Sequence, residues 1–182
     1  MQYRPLGTTG LNVSTVALGC WAITGDFTWG DQAEADSIAT IHAALDAGVN
    51  LFDTAEVYGD GSSEVMLGKA LGARRGDVMI ASKVHETHLL PDQIVAACEA
   101  SLQRLGTDWI DLYQIHWPRR DVPWDDVFAT LNRLKEQGKV RHVGLSNFGV
   151  TDLNDLPPEA TRLGPVTSNQ LIYNLLARAI EF

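Results

Sequence analysis

The sequence predicts a parallel α/β fold, and three observations carry that expectation. Apolar runs of strand length alternate with amphipathic helical stretches at roughly 30-residue spacing, the size of one strand–helix–strand unit. The strand-like runs are apolar on both faces, as a sheet covered by helices requires. The helical stretches close on glycines, Gly48, Gly72, Gly106 and Gly138, which mark helix ends. Strands that alternate with helices imply parallel pairing through right-handed crossovers.

The elements follow in order. Tyr3 to Leu6 and Leu11 to Ser14 read as the arms of a hairpin turned by Gly7-Thr8-Thr9-Gly10. Val16-Ala17-Leu18 is a first strand stopped by Gly19. Gln32 to Ala47 is a helix, with Ala35, Ile38, Ala39, Ile41, Ala44 and Leu45 at helical spacing. Val49 to Ala55 is a second strand. Ser62 to Leu71 is a helix with a serine as a plausible cap. Val78 to Ser82 is a third strand, and Pro91 to Leu105 a helix with proline suitably placed at its start. Trp109 to Ile115, the helix Trp124 to Gln137 and Val140 to Leu145 continue the alternation. Thr151 to Leu156 is a short helix stopped by Pro157-Pro158. Val166 to Ile172 is a sixth strand, and Leu175 to Phe182 opens another loop or helix.

Two arrangements compete at this level. A dinucleotide-binding open sheet carries Gly-x-Gly-x-x-Gly after its first strand. That place here reads Gly19-Cys20-Trp21-Ala22-Ile23-Thr24-Gly25, which is not the fingerprint. A barrel of eight strand–helix units needs about 250 residues, and this chain of 182 supplies about six units. No linker or low-complexity segment divides residues 1–182, so one domain is expected.

Bulk composition excludes several classes. The net charge is −9, a poor match to nucleic acid or an anionic membrane. No apolar run reaches 18 residues, and the start, Met1-Gln2-Tyr3-Arg4-Pro5, lacks a secretory pattern, so a cytoplasmic protein is expected. The two cysteines, Cys20 and Cys98, have no metal-ligand spacing. Two thiols suit a reducing compartment, although spacing alone leaves a disulfide open.

Barrel enzymes work at the C-terminal ends of their strands. The polar residues there are Asp53, Thr54, Glu56 and Tyr58, then Lys83, His85 and Glu86, then His116, then Ser146 and Asn147, then Asn169 and Gln170. Singly, each has an ordinary structural use; lysine after Ile80-Ala81-Ser82 is the most unusual of them. Together, Asp, Tyr, Lys and His suit proton transfer to a carbonyl oxygen. A phenol normally holds its proton to about pH 10; a nearby ammonium favours phenolate, and a carboxylate keeps that ammonium charged. Histidine can hydrogen-bond the substrate oxygen. Hydride has to come from a cofactor.

Longer stretches carry a resemblance. Gly10-Leu11-Asn12-Val13-Ser14 with Ala17-Leu18-Gly19, and Gly48-Val49-Asn50-Leu51-Phe52-Asp53-Thr54-Ala55-Glu56-Val57-Tyr58-Gly59, resemble aldo-keto reductases. So do Ser82-Lys83, Asp111-Leu112-Tyr113-Gln114-Ile115-His116-Trp117, Gly144-Leu145-Ser146-Asn147-Phe148 and Asn169-Gln170. Within the family, Tyr173-Asn174-Leu175-Leu176-Ala177-Arg178 resembles the bacterial and potassium-channel-β-like branches more than the aldose reductases.

The resemblance implies a (β/α)8 TIM barrel of aldo-keto reductase type with an N-terminal β-hairpin across its bottom. The barrel would be incomplete here, truncated on the C-terminal side. It implies reversible NADPH-dependent reduction of aldehydes or ketones. Tyr58 would donate the proton, Lys83 would acidify it, Asp53 would hold Lys83, and His116 would orient the carbonyl. Gly19, Cys20, Trp21, Asp53, Ser146, Asn147 and Gln170 fall at positions for NADP(H), the last three for its carboxamide. Trp21, Trp29 and Trp117 would line the pocket for a small carbonyl substrate, with a loop anchor as the other reading of Trp29. No metal is implied. The family's phosphate-clamping loops follow strands seven and eight, beyond Phe182. Two further readings stand beside the reductase. One is a non-enzymatic remnant or split-barrel piece that self-associates through open edges; the other is a channel-β-like regulatory subunit.

Overall fold

The computed structural model describes residues 1–25, 28–157, 160 and 166–181. Strands β1 (Tyr3–Pro5) and β2 (Asn12–Ser14) form an antiparallel hairpin. Six parallel strands follow in sequential order: β3 (Leu18–Gly19), β4 (Leu51–Asp53), β5 (Met79–Val84), β6 (Ile110–Ile115), β7 (Val140–Ser146) and β8 (Asn169–Gln170). Between them run α1 (Glu34–Asp46), α2 (Ser62–Leu71), α3 (Pro91–Leu105), α4 (Trp124–Glu136) and the short α5 (Val150–Asn154).

Local chemistry fixes the helix ends. Proline opens α3, where the missing N–H would have had no partner, and Gly106 closes it in the left-handed region at φ 63°. In α4 the acidic Asp125 and Asp126 lie in the first turn and Arg133 and Lys135 in the last, matching the helix dipole. Helix α2 packs against α3 through Gly68, where an added Cβ would run into the Leu105 carbonyl.

The core lies between the sheet and its helices. Phe52, Leu67, Ile80, Ile94, Ile110, Tyr113, Ile115 and Leu131 are essentially fully buried, and all six residues of β6 are buried. At the lower end of the sheet, Asp111 gathers four donors. Arg75 and the Ile80 N–H reach Oδ2 at 2.8 and 3.0 Å; Arg141 and the Trp109 indole reach Oδ1 at 2.9 and 3.2 Å. The Trp109 ring also carries both guanidinium groups, each 4.6 Å from its centroid.

The sheet is curled, and one hydrogen bond shows how far. Strands β4 and β8 are separated by β5, β6 and β7, which in a flat sheet would be about 19 Å at the usual strand spacing. Gln170 Nε2 nevertheless donates to Asp53 Oδ2 at 3.1 Å. The result is part of a (β/α)8 barrel, six strands wide. Its lower end is covered by the hairpin: Tyr3 donates to the Gly48 carbonyl, Asn50 bonds both Ser14 and Asn12, and the Gly7 turn lies against Thr167.

The element order matches the sequence expectation, with shifted boundaries. The third sheet strand runs on to Val84 instead of stopping at Ser82, because Lys83 is neutralised inside the barrel and need not mark an exposed end. The last strand contracts from the expected Val166–Ile172 to Asn169–Gln170. The expected stop at Pro158 and the final Phe182 lie outside the described residues. No helix among the described residues is long and apolar enough to cross a membrane.

Candidate active site

The C-terminal strand ends meet at one cavity of about 540 Å³. Nine of the residues singled out in the sequence line it: Trp21, Asp53, Tyr58, Lys83, His116, Trp117, Ser146, Asn147 and Gln170. Gly19, Cys20 and Trp29 do not. Gly19 pairs with Asp53 in the sheet, and Cys20 is wholly buried, its thiol pushed up to about 12 chiefly by that burial. Trp29 stands edge-on against Trp21 at 5.6 Å between centroids. Val57, Leu171 and Ile172 complete the lining. Sequence reasoning misses these three because an apolar side chain after a strand end carries no chemical signature of its own.

Lys83 is the centre of the arrangement. Its side chain is 1% exposed, and its ammonium has three acceptors: Asp53 Oδ1 at 2.7 Å, the Thr54 carbonyl at 2.9 Å and Tyr58 Oη at 3.2 Å. An ammonium has three donors and no acceptor, so Tyr58 Oη must accept. The phenol's own proton is then free to turn elsewhere. Asp53 holds Lys83 with one oxygen and Gln170 with the other.

Each side chain is placed by its strand. Asp53 ends β4, and the Thr54 N–H continues the pairing onto Ala81. Tyr58 lies in the turn that follows, held by its N–H on the Ala55 carbonyl. Glu56 accepts the His85 N–H and the His88 ring, tying that turn to the end of β5. His116 follows β6 and extends its pairing by donating to the Val84 carbonyl.

The rings form a continuous wall. Trp21 stacks on Tyr58 at 5.9 Å, Tyr58 meets the His116 ring edge-on at 5.7 Å, and His116 lies over Trp117 at 6.5 Å. His116 is buried, and its ring Nδ1 has no hydrogen-bond partner among the described residues. Burial, and then the charges of Lys83 and His85, lower its pKa from 6.5 to about 4. It is therefore a neutral imidazole near pH 7.

The opposite wall is polar and comes from β7 and β8. Asn147 Nδ2 donates to the His116 carbonyl at 3.0 Å and to Ser146 Oγ at 3.1 Å. Ser146 Oγ donates in turn to the Gln170 carbonyl at 3.2 Å, which also accepts the Asn147 N–H. No metal-binding group of three His, Cys, Asp or Glu exists among the described residues.

Comparison with known proteins places the chain in a family. The chain is 39% identical to the aldo-keto reductase YhdN of Bacillus subtilis, over all of this chain and 56% of that protein. Among solved structures it resembles the thermostable aldo-keto reductase Tm1743, in complex with the inhibitor epalrestat. The TM-score is 0.89 at 34% identity, over all of this chain and 66% of that one. It also resembles an aldo-keto reductase from Klebsiella pneumoniae in complex with NADPH, with a TM-score of 0.85 at 30% identity, over all of this chain and 62% of that one. The chain thus spans under two thirds of the length of each. The family model for aldo/keto reductases matches residues 15–181, and the chain belongs to the aldo/keto reductase family.

Proposed function

We propose that residues 1–182 are one domain of a cytoplasmic oxidoreductase that reduces small aldehydes or ketones reversibly with NADP(H). One observation carries the reading: Lys83 donates to Tyr58 Oη while Asp53 and Thr54 occupy its other two protons. An oxygen that accepts from a buried ammonium bears negative charge more readily, and its own proton is available to a ligand in the cavity.

The polar wall fits the nicotinamide half of the cofactor. With both Asn147 Nδ2 protons used, Asn147 Oδ1 is left as an acceptor. The Gln170 carboxamide, its amine on Asp53, leaves Oε1 as another. Acceptors beside a hydroxyl suit a primary carboxamide, so Ser146, Asn147 and Gln170 would hold that group. Among the described residues the lining holds no arginine, and its single lysine is committed to Asp53 and Tyr58, so these residues match the nicotinamide end and not phosphate. When bound, NADP(H) supplies or accepts the hydride.

The chain's own residues handle the proton and the oxygen. Tyr58 gives its proton to the carbonyl oxygen as that oxygen gains charge, and Lys83 stabilises the phenolate left behind. Asp53 keeps Lys83 cationic. In neutral His116 the proton belongs on Nε2, because a buried unpartnered N–H is rarer than a buried lone pair and Nδ1 is the buried, unpartnered nitrogen. The Nε2–H then aims the substrate oxygen at Tyr58. The indoles of Trp21 and Trp117, with Val57 and Ile172, give the substrate an apolar wall.

Titrating the 182-residue chain with NADPH and following nicotinamide fluorescence tests the reading. Saturation at micromolar concentration supports it, and no binding up to millimolar concentration counts against it. A split-barrel piece is the second reading. It is favoured by Leu175 and Leu176, which are 91% and 97% exposed beside β8, the last strand of the sheet. Concentration-dependent self-association in sedimentation would support it.

A further inference from the structure

Asn147 is one of two non-glycine residues with positive φ among the described residues, at φ 65°. That left-handed conformation is unfavourable for any side chain, though asparagine tolerates it better than most. Such residues persist where the surroundings over-determine them, and they cluster at functional sites. The usual reasons are a tight turn or a close approach that admits only glycine. Here the side chain is used: both protons of Nδ2 are placed, one on the His116 carbonyl across the β6–β7 boundary and one on Ser146 Oγ. The main-chain N–H is fixed on the Gln170 carbonyl. One residue therefore ties together the ends of β6, β7 and β8.

The geometry points to Asn147 as a positioning residue for His116: its left-handed backbone turns the amide back across the strand ends and fixes the height of the histidine in the cavity. This is separate from the contact with a carboxamide proposed above, which would use Oδ1. The importance of His116 rests on the reductase reading; the strut itself does not.

Three features of the structure support the assignment. Among the described residues the His116 carbonyl is the only main-chain acceptor on Asn147 Nδ2. Among the described residues the His116 ring has no partner at Nδ1, so no side-chain hydrogen bond there holds it. The ring is packed between Tyr58 and Trp117, so a shift of its main chain must move it against those rings and toward solvent.

The test uses Asn147→Gly and Asn147→Ala in the 182-residue chain, without cofactor. Both remove the strut; glycine alone removes the backbone strain. NMR of the His116 ring, assigned by its loss in His116→Gln, is followed from pH 3 to 8. Lys83 from β5, His85 just after it and Tyr58 after β4 are the titratable groups that face the ring, and neither substitution alters them. Expected in both variants are displaced His116 resonances and a titration midpoint at least ~1 unit nearer the 6.5 of an unperturbed histidine. Asn147→Gly should melt above Asn147→Ala, since both lose the strut and only alanine keeps the left-handed strain. If His116 titrates as in the parent in the folded glycine variant, the strut is overturned. A glycine variant that melts below the alanine variant overturns the account of the backbone. Because neither readout needs cofactor or turnover, failure of the reductase reading would leave this result standing.

Discussion

Replacing Asp53 by asparagine should destabilise the fold while replacing Lys83 by methionine should not. Lys83 is buried and the N–O distance to Asp53 is 2.7 Å. At an effective dielectric constant of 20, that pair is worth about 6 kcal/mol of Coulomb energy. Asp53 is 15% exposed and partly screened by water. Asp53→Asn also leaves the Thr54 carbonyl and Tyr58 oxygen on the ammonium. The loss should therefore fall at the low end for an orphaned buried charge, about 3 kcal/mol. Lys83→Met removes the buried cation and keeps most of its apolar stem. Asp53 then retains Gln170 and water, so the change should be within ~1 kcal/mol of zero, of either sign. The double variant should resemble Lys83→Met, giving a coupling of about 2–3 kcal/mol. Urea unfolding at pH 7, followed by tryptophan fluorescence, measures all four chains. Equal destabilisation by both single changes, or a neutral Asp53→Asn, would refute the reasoning.

Three other outcomes follow from the same structure. Asp111→Asn should cost about 3 kcal/mol, because the new NH2 must face either Arg75 and the Ile80 N–H or Arg141 and the Trp109 indole; urea unfolding reads it. Gly68→Ala should destabilise by ~1–3 kcal/mol despite the better helix propensity of alanine, since its Cβ drives α2 away from Leu105; thermal melting reads it. His116 should make stability fall with acid. Its folded pKa of about 4 lies below the unfolded 6.5, so between those values the unfolded chain binds the extra proton and gains. The ring borders an open cavity, and the loss, discounted for water there, is on the order of 1–2 kcal/mol from pH 7 to 4. His116→Gln should flatten that part of a pH series of melting temperatures.

Much of this was legible in the chain, and the reason is that strand ends are local features. Asp53, Lys83 and His116 each follow or end an apolar run, so a parallel barrel must bring them to one mouth. Other features depend on contacts between distant segments and leave no local trace. The Gln170–Asp53 bond joins residues 117 apart and exists only because the sheet curls. The four donors on Asp111 come from β5, β7, the residue before β6 and the turn after α2, while in sequence Asp111 is one polar residue in an apolar run. Nothing in Leu145-Ser146-Asn147-Phe148 reveals a left-handed asparagine, since asparagine is tolerated in many conformations. Lys83 read as a strand end because an unpaired lysine belongs near water, and only its three acceptors explain why β5 continues past it.

The most direct test of the central claim is NADPH oxidation with a small aldehyde, measured for the 182-residue chain and its Tyr58→Phe variant. The phenylalanine ring keeps the stacking on Trp21 and removes only the oxygen that Lys83 addresses. The account predicts that the parent turns over and that the variant loses at least ~100-fold in kcat, the usual scale for a lost general acid. Turnover that survives in Tyr58→Phe within a few-fold of the parent would contradict it.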